Sequence, residues 1–453
     1  MTRRYAVVGL GHRAQLYIDA LLGEWSDTGE IVAFCDTNRT RMAYHNDRIV
    51  ASGREPVPVF HPDRYAEVLA AADAVVITTV DARHAEYVCA ALDAGVDVIV
   101  EKPLTVDAEG CRRIAAAAER SPARLIVTFN YRYSPRNSAV RRLLADGRIG
   151  KVTSVHFEWL LDTIHGADYF RRWHREKANS GGLLVHKSTH HFDLVNWWLG
   201  SHPESVFAHA GLRFYGPTGA AVAGRRSDGP SVSAGPSVSA GPSVSAGPAG
   251  SDGLPRPARA HGAPGLGTDP FLLDMTADPR LKALYLDAEH EDGYIRDRDV
   301  FSAGIDIDDT MSVLVSYADR TAMTYSLTAY SPWEGYRVAF NGTRGRIELE
   351  VCERAWTPAH GAIDPSALEE TGGFERLTVQ EHWQKAEEVP IVNGAGGHGG
   401  GDRLLLDDIF RGPGDDPLAR QAGYRDGIRS VLTGVAADRS ARTGLPVLLS
   451  DLT

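Results

Sequence analysis

Short apolar runs alternate with helix-like segments over the first 130 residues. Five runs rich in β-branched residues occupy positions 5–9, 31–35, 74–78, 97–100 and 124–129. Segments near 12–23, 63–71, 81–94 and 107–120 show the spacing of amphipathic helices. Regular alternation of strand and helix predicts a parallel, doubly wound sheet. We therefore expect an α/β domain over residues 1–129.

The pattern changes after residue 150. Apolar and polar residues alternate at 152–161, 311–317 and 321–330, as in strands with one solvated face, and a turn at 341–345 leads into another strand at 346–351. Candidate helices lie at 180–200 and near 417–439. We expect residues 130–453 to form an α+β domain, with a large, mostly antiparallel open sheet and helices on one of its faces.

A segment of unusual composition interrupts this second domain. Between residues 216 and 268 the chain is rich in Gly, Pro, Ser and Ala, and Gly-Pro-Ser-Val-Ser-Ala occurs three times in tandem from Gly229. Such a composition cannot bury an apolar core. The segment is predicted to be a disordered surface insertion.

Composition and charge exclude several classes of protein. Apolar residues make up 43% of the 453 residues, which is enough for two or three domain cores. The net charge is −11 and no basic stripe occurs, so nucleic acid is not an expected partner. The first apolar run is interrupted by glycines, which indicates a strand and not a signal peptide. No apolar run in the sequence is long enough to span a membrane. Four scattered cysteines without a CxxC pair indicate free thiols in a cytoplasmic protein.

A glycine-rich turn follows the first predicted strand. Residues 9–14 are Gly-Leu-Gly-His-Arg-Ala. In this pattern the first glycine permits a tight turn, the second lets a pyrophosphate approach the backbone, and the small sixth residue allows close helix–strand packing. A helix that starts here presents its N-terminus to the phosphates. The turn predicts a dinucleotide site at Gly9, Gly11, His12 and Arg13. The alternative is a strand–turn–helix that binds no nucleotide.

Two residues near the end of the second predicted strand concern the choice of dinucleotide. Asp36 is placed to accept hydrogen bonds from ribose hydroxyls, which favours NAD. Arg39 lies three residues later and could instead meet the 2′-phosphate of NADP. The sequence favours NAD and leaves NADP open.

A lysine follows the apolar run at 97–100. Lys102 stands between Glu101 and Pro103. Ligands of open α/β sheets bind at the carboxyl ends of the strands, so Lys102 is expected to share a cleft with the dinucleotide. Most lysines are solvated surface charges, and that is the alternative. In a cleft, an ammonium can hydrogen-bond a substrate hydroxyl and lower the cost of forming an alkoxide.

Two histidines and a carboxylate recur at helical spacing further along. On one helix His186, His190 and Asp193 share a face, and His191 points about 100° away from it. This combination suits a general base with an orienting partner. The alternatives are structural histidines with satisfied hydrogen bonds and a zinc site, for which the glutamate of a zincin motif is missing.

Further polar and aromatic residues are candidate substrate contacts. The glycine-rich run at 396–401 contains His398, and it could approach a ligand or act as a flexible connector. Mixtures of ring faces and hydrogen-bonding groups are typical of small-molecule sites, including those for sugars. The other candidates are Arg132, Tyr133, Trp173, His174 and Lys177.

Together these motifs resemble the Gfo/Idh/MocA oxidoreductases, which include glucose–fructose oxidoreductase and inositol dehydrogenase. The resemblance covers nearly the whole chain outside 216–268. It rests on the runs 9–14, 76–79 with His84, 101–103 and 130–133, and on Gly181-Gly182 leading to His190 and Asp193. The resemblance implies a Rossmann domain followed by an α/β domain whose open sheet often forms oligomer contacts. A homo-oligomer, dimer or tetramer, is therefore expected.

The resemblance also implies a tightly held nicotinamide cofactor, with sugars or cyclitols as usual substrates. It assigns Lys102 to the family lysine and His190 to the usual histidine acid/base. The family commonly has an aspartate where this chain has His186, so proton transfer is expected to be balanced differently. Further cofactor contacts implied by the resemblance are Thr78, Thr79, His84, Glu101, Lys102 and Asn130.

Three functions follow as hypotheses. The leading one is hydride transfer between a secondary alcohol of a sugar or cyclitol and nicotinamide, in which His190 takes the hydroxyl proton and Lys102 stabilises the oxyanion. His186 and Asp193 would tune His190 or hold neighbouring hydroxyls. The second is redox-neutral glycoside hydrolysis by oxidation, elimination and reduction, which some members of the family perform without net NADH. The third is a non-catalytic NAD-binding sensor.

Overall fold

A parallel sheet forms the first domain, as the alternating pattern predicts, but it has six strands and not five, because the two-residue strand Val59–Phe60 is too short to give a pattern. The computed structural model describes residues 2–217, 219, 257–357, 372–394 and 397–453. The strands are β1 (Arg3–Val8), β2 (Gly29–Cys35), β3 (Val59–Phe60), β4 (Ala74–Ile77), β5 (Asp97–Val100) and β6 (Leu125–Val127). The helices are α1 (Ala14–Leu22), α2 (Arg39–Ala51), α3 (Tyr65–Ala71), α4 (His84–Asp93) and α5 (Ala108–Arg120).

The order of the strands creates a crevice at one edge of this sheet. The order is β3-β2-β1-β4-β5-β6, and all described pairs are parallel. The chain therefore winds outwards in both directions from the β1–β4 pair, whose residues are almost fully buried. Ligands of doubly wound sheets bind beyond the carboxyl ends of the strands at such a reversal.

A nine-stranded sheet forms the second domain. Its strands are β7 (Val152–Asp162), β8 (Pro203–Gly211), β9 (Thr310–Tyr317), β10 (Ala322–Ser331), β11 (Glu334–Gly342), β12 (Gly345–Arg354), β13 (Phe374–Glu381), β14 (Glu387–Val389) and β15 (Val447–Leu448). Their order is β14-β13-β12-β11-β7-β10-β9-β8-β15. The β7–β10 pair is parallel and the other neighbours are antiparallel. The sheet is thus mixed and mostly antiparallel.

Helices cover one face of this sheet. The helices of this half of the chain are α6 (Pro135–Ala145), α7 (Thr163–Arg171), α8 (Lys177–Ser180), α9 (Leu183–His186), α10 (Ser188–Leu199), α11 (Pro279–Leu281), α12 (Glu289–Asp292), α13 (Gly401–Arg411) and α14 (Tyr424–Thr443). Three of them lie elsewhere: α13 packs on the first domain, and α11 and α12 belong to a segment that contacts α2. His191 of α10 stacks on Trp159 of β7 at 4.0 Å. On the other face alternate residues such as Glu158 and Leu314 line a shallow concavity of about 690 Å³.

The single helix expected over 180–200 is interrupted twice. Gly181 and Gly182 have φ values of +71° and +78°, a conformation that L side chains rarely adopt. The helix therefore begins only at Leu183, and Lys187 separates α9 from α10. The helix expected near 417–439 begins later, at Tyr424.

Most of the predicted insertion, residues 220–256 with the tandem repeats, lies outside the described residues. Its last part, 257–268, is described and packs against the second domain, since Ala260 is buried and Arg259 pairs with the backbone of Arg298. None of the described helices combines the length and the apolar character that a membrane crossing requires.

Candidate active site

The glycine-rich turn is tied to the ends of three strands. Gly9 has φ +84°, and a Cβ there would lie 2.7 Å from the Thr79 Cα. Its N–H donates to the Cys35 oxygen at 2.8 Å, and the Thr78 hydroxyl donates to the Gly9 oxygen at 2.5 Å. Only glycine fits at this position, because any other residue would have a strained backbone and its Cβ would collide with the loop that follows β4. This cradle has the shape that a dinucleotide-binding turn requires.

Asp36 directly follows β2, as the sequence predicts. It is buried and accepts from the N–H of Leu10 at 2.5 Å and of Asn38 at 2.8 Å. Burial raises the pKa of Asp36, although these hydrogen bonds and the nearby Arg41 oppose the shift. The carboxylate thus fixes the loop on both sides of the β2 end. Its contact with a ribose stays a prediction.

Glu101 connects the turn with the end of β5. Its Oε1 accepts from the Arg13 Nε at 2.5 Å and from the Tyr17 hydroxyl at 2.7 Å. Burial alone would raise the pKa of Glu101, but Arg13, Tyr17 and Lys102 outweigh it and leave the pKa below its ordinary value. An ionised Glu101 therefore holds Arg13 beside the turn.

Two predicted cofactor residues, His84 and Asn130, have hydrogen-bond partners within the protein, and their contact with a cofactor stays a prediction. The His84 ring is fully buried between the carbonyl oxygens of Pro103, at 2.7 Å, and Thr79, at 3.2 Å. It therefore joins the loops after β4 and β5 and presents no ring nitrogen to the cleft. Asn130 is also buried, and its amide donates to Asp402 of α13 at 2.8 Å.

Lys102 lies in the cleft, where its position after β5 places it. Its Nζ donates to the backbone oxygen of His186 at 3.1 Å and lies 3.5 Å from the His186 Nε2. Burial lowers the pKa of Lys102 to about 8, against the attraction of Asp81 and Glu101. The ammonium therefore loses its proton at a lower pH than an ordinary lysine does, which is typical of lysines in functional sites.

His186 is oriented by an aspartate from the first domain. Its Nδ1 lies 2.5 Å from the Asp81 Oδ2. An ammonium cannot accept a hydrogen bond, so the Nε2 that faces Lys102 is the acceptor and the Nδ1 carries the proton. Burial lowers the pKa of His186 well below its usual range and raises that of Asp81. A neutral imidazole therefore stands beside Lys102.

Asp81 was not among the predicted site residues. It lies 105 positions before His186, so sequence spacing could not pair the two. One signal was available, since Asp81 follows β4 at the same sheet edge as Lys102. The family commonly has an aspartate at the position of His186, and here Asp81 brings a carboxyl group to the same place from another element.

His190 is held by ring stacking. It packs on Tyr131 with centroids 4.3 Å apart and rings inclined by 13°, and it contacts the ring of Phe129 edge-on. Lys187, also buried and also missed by sequence reasoning, donates to the Tyr131 hydroxyl at 3.2 Å. Burial lowers the pKa of Lys187. A second lysine therefore contributes to the field around Lys102 and lowers its pKa further.

Aromatic rings form one wall next to His186. Trp173 stacks on His174 with centroids 3.6 Å apart, and the His174 ring meets the His186 ring at 4.2 Å. Trp173 is only partly buried. A ring face beside hydrogen-bonding groups is a suitable surface for the C–H face of a sugar or cyclitol.

The expected common face of His186, His190 and Asp193 is not formed. The break at Lys187 separates the first from the other two, and each has its own partner. Asp193 is fully buried and accepts two hydrogen bonds from Arg132, at 2.7 and 2.6 Å. The predicted substrate contacts Arg132 and Asp193 therefore neutralise each other inside the protein.

Two more predicted substrate contacts, Tyr133 and Lys177, have partners within the protein, and the prediction for His398 is not tested. The Tyr133 hydroxyl donates to Asp408 in the interior. The Lys177 ammonium donates to Asp308 at 3.0 Å and Asp438 at 2.8 Å, so its charge is already balanced. The side chain of His398 lies outside the described residues.

Because Arg132 and Asp193 pair in the interior, replacing Arg132 is expected to change the stability of the protein and not its substrate binding. Replacing Arg132 with alanine leaves the Asp193 carboxylate buried without its bidentate partner, and this costs about 3–5 kcal/mol. Denaturant unfolding of the variant should show a lower midpoint, with the double variant Arg132→Met/Asp193→Leu recovering part of it. Unchanged stability combined with weaker substrate binding would restore the substrate role.

In the described part of the chain, no three His, Cys, Asp or Glu side chains lie close enough together to bind a metal ion. The arrangement instead combines a dinucleotide cradle with the Lys102 ammonium and the His186 imidazole at the same sheet edge. These groups can hold a cofactor, polarise a substrate oxygen and move a proton.

Comparison with known proteins agrees with this arrangement. Residues 3–129 match "Oxidoreductase family, NAD-binding Rossmann fold", and residues 141–449 match "Oxidoreductase family, C-terminal alpha/beta domain". The protein YteT of Bacillus subtilis (strain 168) is 33% identical over 456 residues, covering 98% of this chain and 97% of that protein. An inositol 2-dehydrogenase of Rhizobium meliloti (strain 1021) is 31% identical over 212 residues, covering 47% of this chain and 59% of that enzyme.

A solved structure shares the fold over the full length. The aldose-aldose oxidoreductase from Caulobacter crescentus, complexed with glycerol, superposes with a TM-score of 0.60 at 14% identity and covers 99% of this chain and 100% of that chain. The family matches span both domains and the fold agrees with them. The chain therefore belongs to the Gfo/Idh/MocA oxidoreductase family, with an NAD-binding Rossmann domain and a C-terminal α/β domain.

Proposed function

We propose that this protein is an NAD(P)-dependent oxidoreductase that transfers a hydride between a secondary alcohol of a sugar or cyclitol and nicotinamide. One observation carries the proposal: the Lys102 ammonium is held at the end of β5, 3.1 Å from the His186 oxygen, at the same sheet edge as the turn 9–14. The similarity to inositol dehydrogenases supports the substrate class.

The chain's own groups divide the remaining work. When bound, the nicotinamide supplies the hydride acceptor or donor. Lys102 donates a hydrogen bond to the reacting oxygen, which lowers the cost of negative charge there. His190 takes the hydroxyl proton during oxidation and returns it during reduction. Asp81 and His186 hold Lys102 in place, because Nε2 accepts from the ammonium while Nδ1 is fixed by the carboxylate.

A substrate panel tests the proposal. The protein is incubated with NAD or NADP and with free sugars, cyclitols and aryl glycosides, and absorbance of the reduced dinucleotide is followed. Reduced dinucleotide that accumulates with a free sugar or cyclitol supports the proposal. No turnover across the panel, with a dinucleotide demonstrably bound, would favour a binding or sensor role.

A second candidate is redox-neutral glycoside hydrolysis. It is favoured by the His174 ring, which meets the His186 ring at 4.2 Å and is a candidate for a further proton acceptor in the elimination step. In this reaction the alcohol is oxidised, a proton on the neighbouring carbon and the aglycone leave, water adds, and the hydride returns. The released aryl group is followed in the same incubations, and aglycone release that requires NAD but accumulates no NADH would establish this reaction.

The lowered pKa of Lys102 predicts an alkaline limit. The pKa of Lys102 is about 8. At a pH below this value the side chain is an ammonium that donates hydrogen bonds, and at a higher pH its charge is lost. We expect kcat/KM for alcohol oxidation to fall as the pH rises through about 8. A Lys102→Arg variant that retains activity should lack this limb, because guanidinium does not titrate in this range. A profile without change between pH 7 and 10 would contradict the role.

A further inference from the structure

A segment of the second domain lies across the first domain next to the dinucleotide turn. We call residues 273–296 the covering segment. Its apolar side chains form a small cluster of their own, and Tyr44 of α2 packs against this cluster. The far end is anchored in the second domain, where the buried Arg296 pairs with Asp168 at 2.7 Å. The segment therefore bridges the two domains.

Polar contacts fix the covering segment to the start of α2. The Asn38 amide donates to the Ala288 oxygen at 2.8 Å. The Arg41 Nε donates to the Leu284 oxygen at 2.9 Å, and its Nη1 donates to Asp292 at 2.8 Å. Arg41 is thus held on two sides by this segment.

A carboxylate of the covering segment occupies the N-terminus of α2. The backbone N–H of Arg39 donates to Glu291 Oε2, and the Thr40 hydroxyl donates to Glu291 Oε1, both at 3.2 Å. The N-terminus of a helix carries partial positive charge and attracts anions. Glu291 therefore supplies an anion of the protein's own at this place.

The same place governs the choice between two dinucleotides. In this fold the adenosine ribose lies beyond the second strand, where an acid contacts the 2′-hydroxyl of NAD and an arginine accommodates the 2′-phosphate of NADP. Here Asp36 ends β2, Glu291 caps the following helix, and Arg41 is already paired with Asp292. A 2′-phosphate would meet carboxylates where it needs donors.

We propose that the covering segment selects NAD against NADP, with Glu291 and Asp292 as the residues that exclude the 2′-phosphate. The inference rests on the nicotinamide-dependent function proposed above and names its cofactor. The other end of the segment reaches the dinucleotide turn, where the Tyr285 hydroxyl accepts from the His12 N–H at 3.0 Å and lies 3.4 Å from where a Gly11 Cβ would be. The pyrophosphate of either dinucleotide would replace this hydrogen bond, so it does not distinguish NAD from NADP. The segment thus spans from the pyrophosphate turn to the ribose end.

Dinucleotide binding without substrate tests the proposal. The full chain, stripped of dinucleotide, is titrated with NADH and with NADPH, and nicotinamide fluorescence is followed. The parent is expected to bind NADH more tightly. Removing the like charges by Glu291→Gln/Asp292→Asn should strengthen NADPH binding about tenfold and change NADH binding little. Glu291→Ala, which also vacates the helix terminus, should act in the same direction.

A matched variant separates the position from the charge. Glu289→Gln removes a carboxylate from the same segment, but Glu289 pairs with Arg259 at 3.1 Å, not with α2. It should leave the ratio of NADH to NADPH affinity unchanged. Equal affinity of the parent for both dinucleotides, or an unchanged ratio in both Glu291 variants, would overturn the inference. A folded parent that binds neither dinucleotide would overturn the proposed function and this inference with it.

Discussion

Replacing Lys102 with alanine is expected to lower kcat by about 10³-fold. The Lys102 ammonium lies at the sheet edge beside the His186 backbone oxygen, and burial lowers its pKa to about 8. Without it, the negative charge that develops on the substrate oxygen loses its hydrogen-bond donor. Dinucleotide binding should persist, because the turn is held by Gly9, Asp36 and Glu101.

The measurement combines steady-state turnover with a dinucleotide titration of the same preparation. Lys151→Ala is a suitable control, since Lys151 is an exposed residue just before β7. Wild-type turnover in Lys102→Ala would remove Lys102 from the mechanism. Loss of turnover together with loss of dinucleotide binding would make it a cofactor-binding residue only.

Replacing His190 with alanine is expected to lower kcat by about 10²- to 10⁴-fold, the usual contribution of a general base. The imidazole stacks at 4.3 Å on Tyr131, so the change also opens space in the site. Added imidazole should therefore restore part of the activity.

A histidine outside the cleft provides the control for His190→Ala. His156 lies on the open sheet face, where its Nδ1 meets the Thr324 hydroxyl at 2.7 Å. His156→Ala should keep its turnover. Full activity in His190→Ala, or a loss of similar size in His156→Ala, would contradict the assignment of His190 as the base.

Local patterns in the sequence predict much of this fold. The runs at 74–78 and 97–100 correspond to β4 and β5, because buried parallel strands are continuous apolar stretches. The strands β7, β9 and β10 follow the alternation of apolar and polar residues within one or two positions. The family resemblance and the two-domain architecture inferred from these motifs are confirmed.

Elements whose burial is less regular were missed. The helix α2 has a strongly polar sequence in which Met42 and Ile49 are the buried apolar residues, so it shows little apolar periodicity. β11 is buried on both faces over much of its length and therefore lacks alternation. The break before Leu183 depends on positive φ values at two glycines, which a helical pattern does not reveal.

The structure differs from the predictions mainly in which side chains of the site contact one another. The types of residue in the cleft were predicted, but the contacts of Asp81 with His186 and of Arg132 with Asp193 join elements 105 and 61 positions apart. Spacing along one helix could not distinguish a carboxylate that faces a ligand from one that is buried against an arginine. The covering segment is a further case, since Tyr285 meets a backbone amide 273 positions away.

A carbon-bound hydrogen is expected to move between the substrate and the nicotinamide in the cleft that contains Lys102. The most direct measurement uses the best substrate of the panel, deuterated at its ring C–H positions, with NAD and the full chain. After a rapid quench, mass spectrometry of the recovered dinucleotide should show deuterium in the nicotinamide ring, and Lys102→Ala should show far less. Substrate turnover with no deuterium in the dinucleotide would show that no hydride moves from the substrate to the nicotinamide.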